Sequence, residues 1–187
     1  MGREAKRRAL IALADWLQRR GLAEAPESRV AAQLARFFRT WEGATRQEDG
    51  LWARRFLTVA HQRSGLFIET QPGVYAFSHQ NFREYLAATA LIDRRDADML
   101  ALVQHHAADP WWEEVILLAA AHPKFSDVRR EDLVRTLLAA GHVVLAGRCA
   151  VDAGARLPAP LRRTILQQLE SRMKDATFSP KERYAGR

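Results

Sequence analysis

Apolar residues return every three or four positions through the first part of the chain. Leu10, Leu13, Ala14 and Leu17, with Trp16 beside them, predict an amphipathic helix over Ala9 to Arg20 that Gly21 stops. Ser28 stands as the cap of a second helix, in which Val30, Leu34, Phe37, Phe38 and Trp41 repeat at helical spacing until Gly43. A third helix follows a polar loop, from Gly50 to Ser64. Its expected buried side is Leu51, Trp52, Phe56, Val59 and Ala60, leaving Arg54, Arg55, Gln62 and Arg63 outside.

After Gly65 the period drops to two. Leu66 to Glu69 and Val74 to Phe77 are β-prone runs separated by Thr70-Gln71-Pro72-Gly73, and the Pro-Gly pair marks a turn. This hairpin is the one strand pair the pattern predicts. Three helices followed by a hairpin is the order of a winged-helix domain, a helix-turn-helix variant with a β-wing.

The helical period then returns and persists. Asn81 and Glu84 have the spacing of a capping box, and Phe82, Tyr85, Leu86, Thr89 and Ala90 line up as one face. Further helices are expected over Asp98 to Ala108, Pro110 to Ala121, Arg130 to Ala140, His142 to Gly154 and Ala159 to Met173, with Pro110 suited to a first turn. The starts at Asp96, Asp127 and Pro158 recur every 31 residues, which suggests stacked helical hairpins. The fold class is therefore mainly α: a winged-helix domain with one β-hairpin over residues 1–95, then an array of α-helical, HEAT-like hairpins over 96–187.

Composition narrows the functional classes. With 48% hydrophobic residues and a net charge of +7, the 187 residues suit a folded chain rather than a disordered one. The single cysteine, Cys149, excludes an internal disulfide and fits a reduced, cytoplasmic setting. No stretch has the length of a membrane span, and Asp15 interrupts the apolar run that a signal peptide needs. The charge is unevenly spread: residues 1–64 hold 13 basic and 7 acidic side chains, against 13 and 12 in residues 96–187. Arg3, Lys6, Arg7 and Arg8 read as a solvated tail.

Three segments in fixed order carry a resemblance. Arg63-Ser-Gly-Leu-Phe-Ile-Glu, then Gly73-Val-Tyr-Ala-Phe-Ser-His, then Phe82-Arg-Glu-Tyr-Leu-Ala-Ala is similar to the winged-helix region of NACHT-family NTPases, signal-transduction ATPases of the STAND class. Arg83 departs from the family pattern, where Gln is usual. The resemblance spans Arg63 to Ala90. It implies a regulatory part that follows the nucleotide-binding core of a larger ATPase, with ATP or ADP bound by the parent and no cofactor held here. It also implies that His79 reaches the β-phosphate of ADP in the inactive state and holds the winged helix closed on the nucleotide-binding domain of the same polypeptide. A role in bacterial defence or stress signalling, and oligomerisation of the parent on activation, follow from the same likeness.

The residues leave other readings open. No Gly-x-x-x-x-Gly-Lys-Ser/Thr sequence or acidic Walker B strand occurs, so no ATPase chemistry is expected of these residues themselves. Ser179-Pro180 opens like another helix, which suggests a piece of a longer chain. A His before a helix N-terminus is placed to meet an anion, and His79 equally suits a cap or a neighbour of Phe77. Direct DNA binding is the alternative, with Arg54, Arg55 and Arg63 on a recognition helix and the basic tail adding affinity; the wing turn carries no Lys or Arg. His105-His106 and His122 lack metal-ligand spacing, Ser78-His79 with Asp93 or Glu84 lacks the setting of a catalytic triad, and Trp111-Trp112 reads as one packed ring and one surface ring.

Overall fold

The computed structural model describes residues 2–41, 45–63, 65–152 and 157–174. The expected helix ends at Gly43, Ser64 and Gly154, and the helix expected from Ser179-Pro180, lie outside the described residues. The chain divides into two compact units, Met1–Leu91 and Ile92–Arg187.

The first unit begins with α1 (Arg3–Arg19). The basic run expected as a tail is instead its first two turns, where Ala5 is buried and Glu4 pairs with Arg8. Ala9, Leu13, Ala14 and Leu17 form its inner stripe. Gly21, at φ 62°, lets the helix close with Leu22 N donating to Leu17 O at 3.0 Å and Gly21 N to Gln18 O at 3.1 Å, a Schellman turn.

A strand that the periodicity did not signal follows, β1 (Glu24–Pro26). Only Ala25 of its three residues is buried, so alternation cannot register, and Pro26 is tolerated because the strand lies at the sheet edge. With β2 (Phe67–Gln71) and β3 (Val74–Phe77) it makes an antiparallel sheet of order β1-β3-β2, Ala25 opposite Tyr75. Phe67 packs its ring 5.9 Å from Tyr75 and 5.1 Å from Phe77, joining the sheet to the core. The hairpin is thus a three-stranded sheet, and the unit has winged-helix topology.

Between β1 and β2 lie α2 (Glu27–Trp41) and α3 (Arg46–Arg63). Ser28 sits inside the first turn of α2 rather than capping it. Val30, Leu34 and Phe38 are fully buried, and Phe38 meets Trp52 and Phe56 of α3. The third helix starts before the expected Gly50 because Thr45 and Glu48 form a capping box: Glu48 Oε2 accepts from Thr45 N at 3.0 Å, and Thr45 Oγ1 from Glu48 N at 3.4 Å. Those bonds hold the Glu48 carboxyl below its usual pKa. Asp49, buried, accepts from Arg39 Nε at 2.9 Å and ties the two helices. The inner face of α3 is Ala53, Phe56, Leu57 and Ala60, whereas Leu51, expected inside, is exposed.

Next comes α4 (Gln80–Ile92), and the second unit adds α5 (Asp96–His106), α6 (Pro110–Ala121), α7 (Asp127–Ala139), α8 (Val143–Asp152) and α9 (Ala159–Lys174). Helix α5 packs on α7, α6 on α8, α7 on α8 and α8 on α9. Asp109 caps α6 by accepting from Trp111 N, with Pro110 in the first turn, and Ser126 caps α7. Gly147 lets α9 come close to α8; a Cβ there would sit 3.2 Å from Leu169 Cδ1. Trp112 is buried with His106 stacked on it at 4.2 Å, while Trp111 is half-buried, and Cys149 is fully buried.

The second unit encloses a guanidinium. Arg130 is fully buried and donates to Ala120 O at 2.6 Å, Phe125 O at 2.9 Å and His122 O at 3.3 Å, and pairs with Asp127. Its planar fork satisfies the carbonyls freed where α6 ends and the chain turns into α7. Arg129 donates to Ile92 O and Arg94 O at 2.7 and 2.8 Å, and the two guanidinium groups flank the Phe125 ring.

Two outcomes follow for stability. Arg130→Ala takes the guanidinium from the Ala120 and Phe125 carbonyls, while His122 O keeps its bond from Phe125 N, and should cost roughly 3 kcal/mol in chemical denaturation followed by circular dichroism. Arg130→Lys should recover little of this, since one ammonium cannot span three carbonyls. Burial, reinforced by the neighbouring His105 and opposed by Asp109, holds His106 below its usual pKa. The fold favours its neutral form, so this contribution is complete above about pH 6.5 and is lost as pH falls through the lowered folded value. His106→Phe, which preserves the stack on Trp112, should flatten that acid limb of a melting-temperature profile.

Candidate functional site

The hairpin base positions the residue that the sequence singles out. Ser78 N donates to Leu66 O at 2.9 Å, after which the chain leaves β3 and turns directly into α4. His79 occupies that turn and is exposed. Its carbonyl accepts from Phe82 N at 3.1 Å, so the backbone is fixed while the imidazole faces solvent, 5.7 Å from the Phe82 ring. No acidic residue lies in the first turn of α4 to offset the positive end of its dipole.

The face expected of α4 is only partly inside. Thr89 is buried and Leu86 and Ala90 are half-buried, but Phe82 and Tyr85 are 41% and 47% exposed, and Arg83 and Glu84 are only 3% and 4% exposed. The apolar inner face consists of small and aliphatic residues, Ala87, Ala88, Leu91 and Ile92, which admit close packing where large rings would not fit. Arg83 and Glu84 are carried inside as an ion pair, with Arg83 Nη2 3.6 Å from Glu84 Oε1. Burial pushes the Arg83 guanidinium below its usual pKa and the Glu84 charge opposes that shift. Glu84 also accepts from Gln80 Nε2 at 2.6 Å, so the capping box expected between Asn81 and Glu84 does not form and the helix starts at Gln80.

The result is an exposed cluster of imidazole, phenyl and phenol groups on one end of a helix whose inner side carries a buried ion pair. Its chemistry is that of a docking surface: two aromatic rings able to bury apolar area, beside a donor able to meet an anion. Periodicity placed Phe82 and Tyr85 on one face of the helix but did not signal that they are exposed. The signal was present in the family-like run Phe82-Arg-Glu-Tyr, where large rings flank charged residues that a simple apolar count assigns to solvent.

Arg54 and Arg55, the candidate DNA contacts, are exposed on α3, on the same side as Leu51 and Thr58. Arg63 ends that helix, and its side chain lies outside the described residues. The wing, β2 and β3 with their turn, carries Glu69 and no Lys or Arg. Glu69 is exposed and closes the turn by accepting from Gly73 N at 2.6 Å, Glu24 accepts from Thr70 Oγ1 at 3.2 Å, and Gly73 supplies the positive φ of 74°. Burial raises the Tyr75 pKa, with the charges of Glu69 and Glu27 adding to the shift. In the second unit, His122 is buried and its Nδ1 accepts from Lys124 N at 3.2 Å, while the His105 and His106 rings meet edge to face. Among the described residues no group of three or more His, Cys, Asp or Glu side chains is placed to hold a metal ion, and no helix is long and apolar enough to cross a membrane.

Residues 2–91 match the model of a family described as the winged helix-turn-helix domain C-terminal to NACHT. The first unit is a NACHT-associated winged helix, a non-catalytic type of domain. No curated protein and no solved structure matches the chain.

A surface role for the aromatic cluster has a direct check. Phe82→Ser and Tyr85→Ser should each change unfolding free energy by no more than about 0.5 kcal/mol, whereas Leu91→Ala on the opposite face should cost about 2–5 kcal/mol.

Proposed function

We propose that this chain is the regulatory region that follows the nucleotide-binding domain in a cytoplasmic NACHT-type STAND ATPase. The winged helix closes on that domain when ADP is bound, and His79 donates a hydrogen bond to the β-phosphate. The helices of the second unit form a HEAT-like array that couples this closure to a sensor region, and release of the closed state permits the parent to oligomerise in a defence or stress response. ATP and ADP belong to the parent's nucleotide site.

The observation that carries the reading is the exposed His79 at the head of α4, beside Phe82 and Tyr85, within a domain matched to the NACHT-associated winged helix. Docking would bury what remains exposed of the two rings, each gaining about half of the ~1.5–3 kcal/mol of a fully covered large apolar side chain, and would place the imidazole against the phosphate in a water-poor interface. Because the apolar contact and the hydrogen bond sit on one rigid helix end, loss of the phosphate contact weakens the whole closed state. The wing, with Glu69 and no Lys or Arg, disfavours the DNA alternative, since Glu69 would face a polyanion.

The full-length ATPase tests this. A hydrogen bond to a charged phosphate contributes about 1.5–3 kcal/mol, so His79→Ala should speed ADP release by about ten- to a hundredfold and raise basal activity. Unchanged ADP retention would show the sensing role to be wrong.

A further inference from the structure

A second surface of the winged-helix unit has no role in this reading. Where α1 ends against α2, Trp16, Arg20, Leu22, Arg29, Ala32, Gln33 and Arg36 line a concavity of about 180 Å³. Its geometry follows from helical spacing. Arg29, Ala32, Gln33 and Arg36 stand at i, i+3, i+4 and i+7 on one stripe of α2, beside the buried Val30-Leu34-Phe38 stripe, and Trp16 and Arg20 stand at i and i+4 on α1. Arg29 and Arg36 are separated by two helical turns, about 10 Å. The apolar wall is Trp16, Leu22 and Ala32.

The three arginines converge on one concavity. Arg8 pairs with Glu4, Arg19 with Asp15 and Arg39 with Asp49. Arg20, Arg29 and Arg36 make no ion pair with any described carboxylate. Three like charges gathered around one concavity repel one another and focus a positive potential into it.

We propose that this concavity is a docking site for an acidic peptide segment of a partner protein, one that presents carboxylates on both sides of a single large apolar side chain. The carboxylates would take the guanidinium forks of Arg20, Arg29 and Arg36, and the apolar side chain would lie against Trp16, Leu22 and Ala32. Size and polarity select this occupant. The volume is below the roughly 300–1,000 Å³ of pockets that enclose a drug-sized ligand, so the site takes a protruding side chain rather than a whole nucleotide. A duplex, whose bases are stacked inside, would offer phosphate to the arginines and little to the apolar wall. The site lies on α1 and α2, away in sequence from the His79 cluster on α4, and stands independently of the nucleotide-sensing role.

The test is fluorescence anisotropy at low salt with the full chain and a labelled peptide carrying Glu residues on both sides of one Phe. Expected are saturable binding that weakens with salt, no binding of the peptide with Gln in place of Glu, and at least about tenfold weaker binding by the Arg29→Glu/Arg36→Glu variant with an unchanged circular dichroism spectrum. Ala32→Glu, an exposed change that places a bulky carboxylate inside the concavity, should abolish binding and decides the matter if the double variant misfolds. Equal binding by the wild type and Ala32→Glu, no binding of the acidic peptide, or tighter binding of duplex DNA or inorganic phosphate at the same arginines would overturn the proposal.

Discussion

Every α-helix ends with carbonyl oxygens that no residue of the helix can reach, and a chain made of many short helices meets this constraint repeatedly. Two devices answer it here. At the ends of α1 and α7 a left-handed glycine, Gly21 or Gly141, folds the backbone back on its own carbonyls. Elsewhere a guanidinium arrives from a distant residue: Arg130 serves the end of α6, Arg129 serves the turn after α4, and Arg172 donates to Gly141 O at 2.6 Å. The second device does more than the first, because it joins elements remote in sequence while satisfying polar groups. It also gives a physical use to a composition in which arginine outnumbers lysine by 25 to 4, since an ammonium lacks the fork that these turns require.

Much of the fold was legible because it rests on long periodic runs. The stripe Leu13-Ala14-Leu17, the stripe Val30-Leu34-Phe38 and the Pro72-Gly73 turn each state their element outright. Sequence reasoning failed where one local preference was overruled by a neighbour. Glu24–Pro26 becomes a strand only because β3 offers an unpaired edge, which no local pattern records. Thr45-x-x-Glu48 is a capping box that lies one turn ahead of the apolar run beginning at Leu51, so the helix starts earlier than hydrophobic spacing signals. The basic residues before Ala9 become helical because the amphipathic stripe behind them propagates through Ala5.

The candidate site was legible in part. The turn between β3 and α4 that holds His79 followed from the hairpin and the resemblance, but the orientation of α4 did not follow from hydrophobicity. Burial goes to the residues that fit the space, and Ala87 and Ala88 fit where Phe82 and Tyr85 do not. The charged pair is then drawn inward by its position between them. Large apolar groups left at the surface beside smaller buried ones are the pattern of a surface available for contact, and a count of apolar residues along the chain does not separate the two.

The buried Arg83–Glu84 pair has a mechanical meaning. Its two members are consecutive residues of α4, so the pair turns and shifts with the helix as one unit. Removing either member would leave the other as a lone buried charge, which is far costlier than moving both. The segment that carries His79 is therefore more sensitive to the loss of one of these two charges than to a displacement of the helix.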